Sequence, residues 1–220
     1  MGRQHGDNSI HTLTMRKIFF LPVIAVFSFL GCRNQEHKTD SDQVNLNPAK
    51  PIESIDQSPM DMAYYPSGYP LLKMKGTDTI PLMARVIYSR PHKKGRKIFG
   101  ESADHLCAYG RPWRLGANES TEIEFFRPVI IANQTIEPGR YAMYCIPYAD
   151  KWTIVLNKNL YSWGLDIQPE HDVLRTDIPV IKLSPELEDF TMVFVPSDRG
   201  AELLMAWDDA KTLLHIQSVN

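Results

Sequence analysis

From Met60 onward no stretch of the chain sustains a 3.6-residue apolar period over three turns. Short apolar or alternating runs recur instead, each closed by Pro, Gly, Asn or Asp. A chain patterned this way has no continuous apolar stripe to bury along a helix, so it must pair short strands into sheets. The spacing predicts strands over 79–88, 121–126, 139–147, 152–157, 172–183, 189–195, 200–207 and 211–216, with room for a helical turn in 158–170 or 184–188. Within 121–126, Thr121, Ile123 and Phe125 alternate with Glu122, Glu124 and Phe126, the signature of a half-buried strand. Glu137-Pro138-Gly139-Arg140 suits a type II turn, because Pro138 fixes φ and Gly139 accepts a positive one. The runs on either side of Pro147–Lys151 then read as an antiparallel hairpin. Phe190–Val195 is apolar on nearly both faces and is expected centrally in a sheet, and Leu203, Met205 and Trp207 share one face of the next strand. The predicted fold is all-β, a two-layer antiparallel β-sandwich, of which a jelly roll is one form. The sixteen prolines, twelve glycines and 10 % aromatic content agree with it.

The N-terminal part has a different character. Arg16-Lys17 precedes the apolar run Ile18–Leu30, about a dozen residues, long enough for a signal peptide and short of the ~20 of a spanning helix. Met15 begins a conventional n-region and is the expected start. The run ends in Phe29-Leu30-Gly31-Cys32, which resembles the lipobox of bacterial lipoproteins. The resemblance implies cleavage before Cys32, lipidation of its sulfur and attachment to the envelope of a Gram-negative bacterium, at the outer membrane or the periplasmic face. Multiple acyl chains give the firm anchoring that one chain cannot. Residues 33–59 are rich in Asn, Gln, Ser, Asp, Lys and Pro and hold no aromatic residue, so they cannot offset their ordering entropy. The chain therefore divides into a leader (1–31), a lipidated cysteine and tether (32–59) and one β-sandwich domain (60–220). In an oxidising envelope Cys107 and Cys145 could pair, or remain as two buried thiols.

Cleavage before Cys32 leaves 21 Lys plus Arg against 25 Asp plus Glu, a mature charge of −4, which speaks against a nucleic acid partner. The charge is unevenly placed. Arg90, Lys93, Lys94, Arg96, Lys97, Arg111 and Arg114 face only Glu101 and Asp104 within 90–114, a local +5. Guanidinium forks suit carboxylate, phosphate or sulfate, and Tyr109 and Trp113 nearby supply flat faces that stack on sugar or aromatic rings.

Ser89-Arg90-Pro91, Lys94–Gly100, Trp113–Thr121, Gly139-Arg140-Tyr141 and Trp152–Asn157, in this order, resemble the signature blocks of a bacterial envelope family, domain of unknown function 2911. The resemblance implies an exported, β-rich protein and carries no catalytic residue over to this chain.

The favoured expectation is a non-catalytic binding module for an anionic or sugar-containing ligand, or a protein partner, with Arg96, Tyr109, Trp113, Arg114, Asn118 and Glu119 as candidate site residues. Glu119 would orient Arg96 or Arg114. The same residues also read as a structural knot in which Trp113 fills the core and Asn118 bonds turn amides. The alternative is an envelope hydrolase, metal-assisted or not, using His92 or His105 with Glu119. No GxSxG, Walker A, HExxH, CxxC or GxGxxG pattern occurs, and Asp104-His105-Leu106-Cys107 lacks the second ligand pair of a metal site, so neither metal nor cofactor is expected.

Overall fold

The computed structural model describes residues 57–219; the leader, Cys32 and the tether as far as residue 56 lie outside them. Within that span the chain runs β1 (Met60–Tyr65), a short helix α1 (Tyr69–Met74), β2 (Ala84–Ser89), β3 (Phe99–Gly100), β4 (Cys107–Ala108), β5 (Thr121–Phe125), β6 (Val129–Ile131), β7 (Gln134–Ile136), β8 (Gly139–Pro147), β9 (Lys151–Asn157), β10 (Asp172–Pro179), β11 (Ile181–Ser197) and β12 (Gly200–Ser218). A six-stranded antiparallel sheet, ordered β1-β2-β5-β8-β9-β10, packs on a four-stranded antiparallel sheet ordered β11-β12-β6-β7; β3 and β4 form a small parallel pair. The arrangement is sandwich-like, as the alternation predicts.

The inward positions of both sheets meet in one core. Val86, Ile123, Phe125, Met143, Ile154 and Leu156 come from the larger sheet; Phe190, Met192, Leu203, Met205, Trp207 and Ile216 come from the smaller. At one end the core turns aromatic: Phe99, Trp113, Trp152, Phe190 and Trp207 pack edge-to-face or offset at centroid separations of 4.9–6.4 Å. Thr121, Ile123 and Phe125 are buried as expected, while Glu124 and Glu122 pair on the outer face with Arg85 and Arg140. The β8–β9 hairpin is antiparallel, and Gly139 has φ 141°; the Tyr141 hydroxyl donates to the Glu137 carbonyl at 2.8 Å and pins the corner.

Several boundaries differ from the sequence reading. Phe190–Val195 belongs to β11, which is an edge strand and not a central one: Phe190, Met192 and Phe194 face inward, but Val193 is 41 % exposed. The run 172–183 divides at Val180, where the chain leaves one sheet for the other. The runs 200–207 and 211–216 are one strand, β12, whose register against β11 shifts between Lys182 and Leu187 and again between Leu187 and Thr191. The expected breaks are therefore irregularities in one continuous pairing of β11 with β12. The run 79–88 is strand only from Ala84. The hairpin β6–β7 escapes detection because its two-residue turn is Ala132-Asn133, with φ of 49° and 63°, in place of a glycine pair.

Candidate functional site

The segment between β2 and β5 is folded around two fixed points. Trp113 exchanges both backbone bonds with Cys145 on β8 at 2.7 and 2.8 Å, which seats its indole in the aromatic core at 8 % exposure. Its Nε1 donates to the Gly116 carbonyl at 3.2 Å, and the Thr121 hydroxyl donates to the Leu115 carbonyl at 2.6 Å. Gly116 lies so close to β2 that a Cβ there would stand 2.8 Å from the Ser89 carbonyl oxygen. Leu115 and Asn118 both take positive φ, 55° and 61°. The inward half of this loop is thus the structural knot, and the expectation that Trp113 offers a stacking face to ligand is corrected: its faces are occupied by Phe99, Trp152, Phe190 and Trp207.

The outward half lines a cleft of about 510 Å³. Arg96, His105, Arg111, Arg114 and Asn118 line it together with the apolar side chains of Leu106, Trp163 and Leu165, and among the described residues no aspartate or glutamate lines it. Arg96, Arg114 and Asn118 from the sequence reading therefore meet here, with Trp113 at the floor. Tyr109 and Glu119 do not line the cleft. Glu119 is exposed and orients neither arginine. Arg96 donates instead to the carbonyls of His92 and Lys93, and Arg114 to those of Asn118 and Trp163. Arg111 is exposed, and its guanidinium has no hydrogen-bond or ion-pair partner among the described residues.

The local +5 is only partly available. Lys93 is held by Glu186 and Asp208, hydrogen bonds that raise its pKa above the ordinary lysine value. Arg90 pairs with Asp61 at 3.2 Å and Lys97 with Asp104 at 2.9 Å. The Lys94 amide donates to Glu188 at 2.7 Å. What remains in the cleft is the arginine set.

One wall comes from a place in which the sequence reading named no site residue. The segment 158–168 delivers Trp163 and Leu165. It is fastened by the Arg114 bond to the Trp163 carbonyl (2.6 Å), by Ser162 to Ser120 (2.9 Å), and by Gly164 at φ 73°. The available signal was a tryptophan in a Gly- and Asn-containing loop, where burial in a strand is not on offer. The thiol of Cys107 lies behind the cleft wall; it and Cys145 are buried free cysteines, and burial pushes both above the ordinary thiol range.

The constellation for hydrolysis is not assembled. His92 pairs with Asp189 on β11. His105 meets Ser102 at 2.8 Å and Asp104 at 3.3 Å, and Glu119 meets neither histidine. Among the described residues no group of three or more His, Cys, Asp or Glu comes together in a way that could hold a metal ion.

A family model described as protein of unknown function (DUF2911) matches residues 76–216, which takes in every residue lining the cleft. Neither the curated proteins nor the solved structures give a match.

Proposed function

Because the chain belongs to the family described as protein of unknown function (DUF2911), whose description assigns no chemistry, we propose its function from the cleft: it is a binding module for a small organic anion. One observation carries this reading. Three arginines and a histidine line one concavity, and among the described residues no aspartate or glutamate lines it with them. Cationic side chains concentrated in one concavity are an electrostatic cost to the folded protein, and that cost is relieved when an anion enters. The backbone carbonyls that hold Arg96 and Arg114 fix them in place, so a ligand need not order them. Arg111, which no group among the described residues engages, supplies a whole guanidinium fork for bidentate capture. The cleft's size lies within the ~300–1,000 Å³ typical of small-molecule sites.

The same reading places the module at the cell envelope. Acyl chains on Cys32 hold it to the membrane, and residues 33–59 join that cysteine to the sandwich. The membrane is its one constant partner, and the ligand is drawn from the envelope space.

Thermal-shift measurements on the mature chain with phosphate, sulfate, carboxylates and acidic sugars test the binding claim. Saturating a site at about a hundredfold its Kd stabilises the fold by about 2.7 kcal/mol, a shift of several degrees. Arg111→Ala and Arg96→Ala should each reduce that shift, and added salt should weaken it. Indifference to every anion, with both variants behaving as the parent, removes the proposal. Mass spectrometry of the N-terminal peptide tests the tether: acyl mass on Cys32 supports it, and an intact leader on a soluble species contradicts it.

A further inference from the structure

We infer that the anion carries a planar ring: the cleft is built for an aryl phosphate, sulfate or carboxylate whose charged group meets the arginines while its ring lies against Trp163. This rests on the anion-binding reading above and extends it to the body of the ligand.

The tryptophans supply the first argument. Trp113, Trp152 and Trp207 are buried in the aromatic core, whereas Trp163 is 44 % exposed at the cleft. Trp163 is also held in place. Its carbonyl accepts from Arg114, its neighbour Ser162 bonds Ser120, and a Cβ on Gly164 would stand 2.7 Å from the Ser120 hydroxyl. An indole fixed by its backbone on both sides yet left open to solvent is a pre-organised platform. The Arg114 guanidinium lies over the ring, 6.0 Å from its centroid. The cation covers one part of the indole, and the 44 % of Trp163 left exposed is the surface on which a planar, electron-rich ring can lie.

The second argument is the supply of donors and acceptors. Guanidinium groups donate and do not accept, and among the described residues no carboxylate lines the cleft to receive hydroxyl protons. A neutral polyol would leave many of its hydroxyl donors unmatched here, whereas an anion with a ring body offers acceptors to the arginines and little else that needs pairing. Leu106 and Leu165, 48 % and 75 % exposed, extend the apolar side of the same cleft. They give the ring a dry edge.

Isothermal titration of the mature chain with four ligands at fixed ionic strength decides the matter: inorganic phosphate, phenyl phosphate, hexyl phosphate and glucose 6-phosphate. Phenyl phosphate should bind on the order of five- to tenfold tighter than each of the others, the size of one ring contact. It should also shield Trp163 from acrylamide quenching. Trp163→Ala should erase the margin without abolishing phosphate binding, and Trp163→Phe should keep most of it. If phenyl phosphate binds no tighter than the alkyl or sugar phosphate, or if Trp163→Ala retains the margin, the ring assignment is overturned. Arg111-dependent binding of inorganic phosphate would then still support the anion site. Failure of all four ligands to bind, together with indifference to sulfate and carboxylates by thermal shift, overturns both readings.

Discussion

The guanidinium of Arg114 donates to the carbonyl oxygen of Trp163 at 2.6 Å, a bond across 49 residues of chain that ties the 158–168 loop to the knot around Trp113. Through it, the loop that brings the exposed indole and the loop that brings the arginines become one wall. Arg114→Ala should cost about 1–3 kcal/mol by leaving the Asn118 and Trp163 carbonyls without their donor. Hydrogen exchange should rise over 158–168 before it rises elsewhere. Arg111→Ala should leave stability within about 0.5 kcal/mol of the parent, because its side chain supports nothing in the fold.

Gly164 at φ 73° has no room for a side chain, since a Cβ would stand 2.7 Å from Ser120 Oγ and 2.8 Å from Arg114 Cβ. Gly164→Ala should therefore destabilise the fold by about 1–3 kcal/mol, measured by chemical denaturation. An unchanged midpoint would mean the loop relaxes freely.

Trp113→Ala removes the centre of the aromatic cluster and should cost about 3–5 kcal/mol. Near-ultraviolet circular dichroism should lose its aromatic bands in the same variant. A mild effect would show that the stacking residues are exchangeable.

Cys107 and Cys145, buried and with thiols pushed above their ordinary range, should resist alkylation in the native protein and both react once it is unfolded without reductant. Peptide mapping reads the outcome. Protection that survived unfolding would indicate a disulfide.

Asp177 is held below its ordinary value of 3.8, first by its hydrogen bond from Lys151 and then by that from Thr153. A depressed folded-state value means the contribution is complete above the unfolded value and is lost as pH falls through the folded one. Asp177→Asn should therefore flatten the loss of stability below about pH 4. At pH 7 it should cost less than about 1 kcal/mol, because the pair with Lys151 is half exposed and screened. Denaturation midpoints from pH 7 to pH 2 give the comparison.

Much of the fold is legible in the chain because strand alternation is local. Thr121, Ile123 and Phe125, or Leu203, Met205 and Trp207, declare their shared face by spacing alone, since side chains alternate whatever the partner strand. The sandwich and the β8–β9 hairpin follow from such runs and their turns. The central placement of Phe190–Val195 does not follow: apolar residues on both faces say that a strand is hydrophobic, but only sheet order says whether it has one neighbour or two. The candidate site is legible in part for the same reason. Arg96, Arg114 and Asn118 stand out by charge and loop chemistry and do line one cleft. The outward roles expected of Trp113 and Glu119 depend on which way a loop turns, and the backbone exchange between Trp113 and Cys145 sends the indole inward.

Composition and periodicity determined the class of this protein, because an alternating apolar chain without helical stripes has few ways to hide its surface. Tertiary structure decided which charges stay open. Glu186 and Asp208 lie 93 and 115 residues from Lys93 and remove it from the basic set, while Trp163 crosses from a distant loop to complete a cleft that no carboxylate among the described residues lines. Neutralisation and convergence are distances in space between groups far apart in sequence, and those distances exist only once the two sheets have closed on each other.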